Sequence, residues 1–539
     1  MPQLPLPVPL MALPPVTVPG GTNGARGTAL LGGALVLVTA AFELAHLPLP
    51  YPSDQINYFD AAGDFPYPAA GTPMHQFTRF GLTLPLRGAI ELLGYSEAAY
   101  HVVPVLAGLL LVVSVYLLGT MLFARSVGVA AAALTIANNL IFFDLLAPLP
   151  DVLATALFCA AVVLAVAVHQ ERRLVAVSAR RQAVAVLVIG ALLGWSYLTR
   201  EYVVFAWPLI PLLVVPRVGW RRASLAVVPL VVTAVTELGL CQLTYGDPLA
   251  RVRAVTGHGS GPVPPEAAAT YQEMPRWWYL IRLPAGLADV PEGPWLLAAL
   301  AGVVAGGILA RRRVGVLVGW LALISVPLVL LGGVVDPSAP RLRLFLMRYW
   351  FPAFPAYILG GLGAAWLLTG WALTRPWASV RQADPRRGIA AAVVLCLATG
   401  AVATAAPGWT VDRGYRVTGS DPLGAFRDWL TAHHSDVRVL WSDGRTVRVL
   451  PIYHTTRFGR TIWSGELRTL APAGEQPGPG EYVVLYGTEG EIPCAHCGDA
   501  ARLALGDPLR IPPSWRQVYA TRDNAVRVYR VDAAHSPPG

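Results

Sequence analysis

The chain predicts a polytopic α-helical membrane protein carrying a small α/β domain at its C-terminal end, and three observations lead there. Of 539 residues, 55% are hydrophobic and only 14% charged, with a mean hydropathy of +0.52; that is too apolar for a soluble protein of this size. Apolar runs long enough to cross roughly 30 Å of hydrocarbon recur from the first helix to about residue 406. Beyond them the composition changes to short alternating segments and a single amphipathic one.

Residues 1–27, "MPQLPLPVPLMALPPVTVPGGTNGARG", are proline-rich and lack the basic start of a signal peptide. They are expected to form a disordered cytosolic lead-in to an uncleaved membrane helix. Apolar runs then fall near 28–47, 99–123, 127–145, 150–168, 183–200, 202–216, 224–244, 294–310, 314–335, 350–374 and 388–406, about eleven crossings that make 28–406 a transmembrane domain. If the N-terminus is cytosolic, the arginine-rich loops "HQERRLVAVSARRQ", "PRVGWRR", "RRR" and "RPWASVRQADPRR" all lie inside, as the positive-inside rule requires. The same alternation puts three large segments outside a plasma membrane: the loops at about 48–98 and 245–293, and the tail 407–539.

The tail reads as a small extracytoplasmic α/β domain. "DPLGAFRDWLTAHH" has an acid start and helical spacing, "VRVLWS" and "EYVVLYG" are strand-like, and "WRQVYATRDNAVRVYRV" is a hairpin about "RDNA". "CAHC", with Cys494 and Cys497, is compatible with a local disulfide, a zinc site or a redox pair. Cys159, Cys241 and Cys396 lie in apolar runs and are expected to pack there.

All 41 basic residues are arginine, which excludes a lysine Schiff base or a P-loop lysine. With abundant Ala, Gly, Val and Pro, this usage suits a GC-rich bacterial genome. The formal charge of +9 is dispersed between apolar runs rather than gathered in a patch, which argues against a nucleic-acid partner.

The first outer loop opens with "YPSDQINYFDAAGDF", three aspartates just beyond a membrane helix. Asp60 and Asp64 are read as solvated loop acids. Asp54, a few residues from the helix end, would face the head group of any lipid-borne substrate.

"SDQINYFDAA" resembles the start of the first periplasmic loop in the GT-C membrane glycosyltransferases, the family that includes protein O-mannosyltransferases and the aminoarabinose transferases of lipid A. The matching positions are Asp54, Tyr58 and Ala61 or Ala62, while Gln55 stands where the family usually carries a second acid. The likeness continues in order through "RFGLTLPLRGAIELLGYSEAAYHVVPVLAGLLLVVSVYLLGTMLF", similar to an amphipathic loop, turn and second membrane helix. It goes on through "LAPLPDVLATALF" with Asp151, "YLTRE", and "RYWFPAFPAYILGG", covering about residues 28–375.

The resemblance implies a donor sugar carried on a polyprenyl phosphate, transferred with inversion to a glycan, lipid or protein acceptor outside the membrane. Asp54 is then the candidate general base. Arg79, Arg200 and Arg348 are candidate ligands for the donor phosphate, since a guanidinium grips phosphate bidentately and stays charged. Each has a plainer alternative: Arg79 as a snorkelling side chain, Arg200 neutralised by its neighbour Glu201, Arg348 as a helix-start residue. Arg341 and Arg343 are placed to add to the same cation cluster. Tyr58, His75, Asp151 and Glu201 are candidates for the acceptor or cavity wall, with Asp151 alternatively a helix-capping acid. Gln55 in place of an acid weakens the case for a divalent cation, although Asp60 or Asp151 leave one possible. A non-catalytic carrier of lipid-linked sugars, or an envelope scaffold acting through the tail, would need the same membrane frame but no base.

Overall fold

The computed structural model describes residues 22–66, 73–171, 178–257, 273–338, 344, 346–373, 385–410, 421–470, 474–488 and 498–533. The segment 1–21, Arg341, Arg343, Cys494 and Cys497 lie outside the described residues.

Each of the eleven apolar runs is helical. In chain order the helices are α1 (Thr22–Ala45), α2 (Asp54–Gly63), α3 (Phe80–Leu93), α4 (Glu97–Leu122), α5 (Arg125–Ala137), α6 (Asn139–Leu145), α7 (Pro150–His169), α8 (Ala179–Thr199) and α9 (Leu209–Val218). There follow α10 (Val227–Tyr245), α11 (Ala250–Thr256), α12 (Arg276–Ala288), α13 (Gly293–Leu309), α14 (Arg311–Val329), α15 (Phe354–Ala372) and α16 (Pro385–Thr410). Among the described residues eight helical stretches are long and apolar enough to cross a membrane, and three shorter apolar ones, α5, α9 and α13, accompany them. Their outward faces carry Leu30, Leu37, Val228, Val232, Val235 and Leu243 fully or half exposed, a surface that only hydrocarbon would cover.

Three expectations are corrected here. The helix α1 starts at Thr22, so residues 22–27 are not a disordered lead-in. Most of the described part of the first outer segment is helix rather than loop, because "SDQINYFDAAG" and "FGLTLPLRGAIELL" each bury one face, as α2 and α3. Cys396 is exposed, unlike the buried Cys159 and Cys241.

Small residues let the helices approach closely. A Cβ added at Gly119 of α4 would stand 2.6 Å from the Gly128 Cα of α5, the backbone contact that membrane helices use when oily side chains offer no advantage over lipid. Gly81 plays the same role for α3, which lies against Thr199 at the end of α8.

The tail opens on α17 (Pro422–His433), whose N-cap Asp421 accepts from the Gly424 N–H at 2.6 Å. A five-stranded sheet follows, β1 (Val439–Asp443), β2 (Glu466–Leu470), β3 (Tyr482–Tyr486), β4 (Trp515–Ala520) and β5 (Val526–Val531), in the order β2-β1-β3-β5-β4. The pairs β1–β2 and β1–β3 are parallel; β3–β5 and the hairpin β4–β5 are antiparallel.

This unit shares its core with the helices beneath it. Ile56 and Phe59 of α2, Leu86 of α3 and Tyr100 of α4 join Phe426, Leu450, Tyr453, Val484 and Val528 in one apolar cluster. At its edge Arg427 donates to Glu97 at 2.9 Å and stacks over Tyr453 at 4.8 Å, with both charged side chains about nine-tenths buried. Removing one partner of such a pair costs about 3–5 kcal/mol. Arg427→Ala is therefore expected to lower the thermal unfolding midpoint in detergent, as read by tryptophan fluorescence, while the double change Arg427→Met with Glu97→Leu recovers much of the loss.

Candidate functional site

Asp54 is the first residue of α2, which begins at Ser53 with no side-chain cap. Its carboxylate is met by Arg348, whose Nη2 donates to Asp54 Oδ2 at 2.7 Å. Arg348 lies at the start of the 3-10 turn Met347–Ala353 that leads into α15, and its Nε sits 4.0 Å from Asp151 Oδ2. One guanidinium is thus shared by two carboxylates from α2 and α7.

Asp151 is the second residue of α7, after Pro150. Pro150 needs no N–H at that position, and the aspartate behind it turns inward instead of capping. Its Oδ1 lies 2.9 Å from Arg200 Nε and accepts from the Tyr202 hydroxyl at 3.1 Å. Arg200 ends α8 in extended backbone and is held between two rings, 4.7 Å from the Tyr349 centroid and 5.2 Å from that of Tyr202, an arrangement that attracts a buried cation.

Arg200 and Glu201, adjacent in sequence, serve different pairs. Glu201 accepts from Arg79 at 3.3 Å and from Arg251 at 3.5 Å, and Arg251 also donates to Glu237 at 3.4 Å and to the Tyr197 carbonyl at 2.6 Å. Burial alone would raise the Glu201 carboxyl, but the Arg200 and Arg251 guanidiniums hold it below the usual carboxylate range. Arg79 lies 5.8 Å over the Tyr58 ring. Tyr58 itself is buried, which pushes its phenol well above the ordinary value, so it stays a neutral hydroxyl. His75, half-buried in the turn before α3, is near enough to Glu201 to interact electrostatically.

All eight sequence candidates, Asp54, Tyr58, His75, Arg79, Asp151, Arg200, Glu201 and Arg348, thus belong to one contiguous constellation. Arg251, Glu237, Tyr202 and Tyr349 complete it and were not singled out from sequence. Arg251 stands in a short helix after Asp247 with no motif around it; Tyr349 was legible only as part of "RYWFP". The four arginines 79, 200, 251 and 348 face the acids 54, 151, 201 and 237, and Asp144 is near enough to Asp151 and Arg348 to interact with both, so the arginines do not outnumber the acids. Arg79, Arg200 and Arg251 side chains are at most 4% exposed, whereas Asp54 is 45% and Arg348 19% exposed. Glu201 is 28% exposed, so the constellation is most open at Asp54 and partly open at Glu201. Inside it, Arg79 Nε and Nη1, Arg348 Nε and Asp151 Oδ2 are buried without a hydrogen-bond partner among the described residues.

Asp60 is a helix residue bonded to the Tyr95 hydroxyl, not the solvated loop acid expected from sequence; Asp64, at the C-cap of α2, is exposed. Among the described residues no group of three or more His, Cys, Asp or Glu side chains gathers as metal ligands.

No family model matches the chain, and no curated protein matches it. Solved structures do. ArnT from Cupriavidus metallidurans bound to undecaprenyl phosphate superposes with a TM-score of 0.57 at 14% identity, covering 96% of this chain and 100% of that one. The same protein in the apo state gives 0.55 at 16% identity over 94% and 98%. The chain therefore shares the polytopic fold of that protein.

Burial raises the Asp60 carboxyl to about 6, against the opposing pull of the Tyr95 hydrogen bond and Arg448. The ordinary carboxylate titrates near pH 4, so between there and about 6 the folded protein binds more protons than the unfolded chain and loses stability as pH rises. Thermal unfolding in detergent is expected to show a smaller loss across that window in Asp60→Asn than in the unaltered protein.

Proposed function

We propose that the chain is an inverting glycosyltransferase that moves a sugar from a polyprenyl-phosphate donor to a glycan, lipid or protein acceptor on the outer side of the plasma membrane. The observation that carries this reading is the Asp54–Arg348 contact at the most open edge of a largely buried cluster in which every arginine faces an acid. The fold shared with a protein solved with undecaprenyl phosphate supports it.

A sugar phosphodiester leaves as a lipid phosphate with growing negative charge, which needs fixed cations in a site poor in water. Because every arginine is already compensated, an arriving phosphate must compete with a carboxylate, and the accessible place to do so is Arg348. Phosphate on Arg348 loosens the hold on Asp54 and leaves its carboxylate ionised beside the reacting sugar. The acceptor oxygen then bonds to the anomeric carbon from the face opposite the phosphate, the carbon–oxygen bond to phosphate breaks, and the acceptor proton passes to Asp54. Asp151, Arg200 and Tyr202 hold Arg348 from behind; Glu201 and Arg251 hold Arg79, whose unused N–H groups are a second contact for the donor. Tyr58, with its hydroxyl kept neutral, lies under Arg79, and His75 stands beside Glu201.

A divalent cation fits poorly here. Such ions seek carboxylate oxygens, and Asp54 and Asp151 both face the guanidinium of Arg348 at 2.7 and 4.0 Å. No step is routed through a metal.

With labelled polyprenyl phosphosugars and cell-envelope acceptors, Asp54→Asn is expected to lower transfer about 10²–10⁴-fold, the usual contribution of a positioned base, with donor binding retained. Arg348→Ala is expected to weaken donor binding as well as turnover. Undiminished transfer by Asp54→Asn removes it as the base, and translocation of the labelled lipid in vesicles without a glycosidic product favours a carrier instead.

A further inference from the structure

The polar stripe of α2 bears on the terminal unit. Asp54, Asn57 and Asp60 follow at intervals of three and so share one helix face, while Ile56 and Phe59 face the apolar core. Arg448, from the turn after β1, donates its Nη1 to the Asn57 side-chain oxygen across 391 residues of sequence, and it lies close enough to Asp60 and Asp54 to interact with both. The turn holding Arg448 is itself pinned, because Asp443 Oδ1 accepts from the Arg445 and Thr446 N–H groups at 2.9 and 3.0 Å. Two further ties hold the same region: Tyr453 donates to the Pro50 carbonyl at 2.9 Å, and Tyr95 to Asp60.

From this geometry we propose that Arg448 of the terminal unit is a positioning residue, fixing the rotation of α2 about its axis and thereby the direction in which Asp54 presents its carboxylate. The inference rests on Asp54 acting as the base. Without the tie α2 keeps its buried Ile56 and Phe59, so it stays docked, and its polar face keeps the Tyr95 bond to Asp60 at the far end, but beside Asp54 its azimuth then leans on Arg348, the group that the donor phosphate must take over. The terminal unit is then a working part of the catalytic frame rather than a separate binding module.

The test uses the full chain in detergent or nanodiscs, with Arg448→Ala, Arg448→Lys, Asn57→Ala, the double Arg448→Ala with Asn57→Ala, and Arg516→Ala on the far side of the sheet as control. Misplacing a catalytic group by about 1 Å costs on the order of 10²-fold. Arg448→Ala and Asn57→Ala are each expected to lower kcat about 10- to 100-fold with the donor KM unchanged. The double variant should be no worse than either single one, Arg448→Lys should recover part of the rate, and Arg516→Ala should match the unaltered protein. Amide exchange across Tyr58 to Gly63 should rise in Arg448→Ala while that of β3 stays as it was. Unchanged exchange in α2, additive losses, or a fall in kcat accompanied by general loosening of the sheet would each overturn the proposal. If Asp54→Asn proves fully active, the base assignment fails, and the exchange measurement still decides whether Arg448 holds α2.

Discussion

A charge held beside hydrocarbon must be met by a counter-charge, and much of this structure is arranged to satisfy that constraint around Arg348. The guanidinium is shared by Asp54 of α2 and Asp151 of α7, and Asp151 is shared in turn with Arg200 and Tyr202. An uncompensated buried charge costs several kcal/mol, so each member commits the next. The helix ends that supply them, those of α2, α7, α8 and α15, are brought to one point. The aromatic bracket of Tyr202 and Tyr349 around Arg200 and the close approach of α3 at Gly81 serve the same convergence.

Compensation of every arginine has a functional side. A cluster with excess positive charge would trap anions without discrimination and hold product; one in which each arginine already faces an acid binds a phosphate chiefly by exchange of partners. Exchange is open at Arg348 and Asp54, the most exposed cation and its partner, and closed at the buried Arg200 and Arg251. In the proposed reaction, binding of donor and release of the base become one event, which ties readiness for proton transfer to the presence of the leaving group.

Much of this was legible in the chain. Hydrophobic length alone located the helices, since a run that spans hydrocarbon needs no partner to be recognised, and Asp54 stood out by its distance from a helix end. α2 was not legible as a helix, because its short sequence "DQINYFDAAG" is helical by virtue of the core that Ile56 and Phe59 enter. Asp60 was misjudged for the same reason: solvation is the natural reading of an acid until Tyr95 is seen against it. Arg251, Glu237 and Arg448 carry no local signal at all. Their roles arise from contacts across loops and domains, as in the tie between Arg448 and Asn57, which spacing in sequence does not encode.

The exchange at Arg348 is open to direct observation. A high-resolution structure of the protein in nanodiscs with polyprenyl phosphate should show phosphate oxygens in hydrogen-bond contact with Arg348, and the Asp54 carboxylate parted from it and facing the vacated acceptor side. A phosphate bound elsewhere, with Asp54 and Arg348 still paired at their present 2.7 Å, would contradict the account.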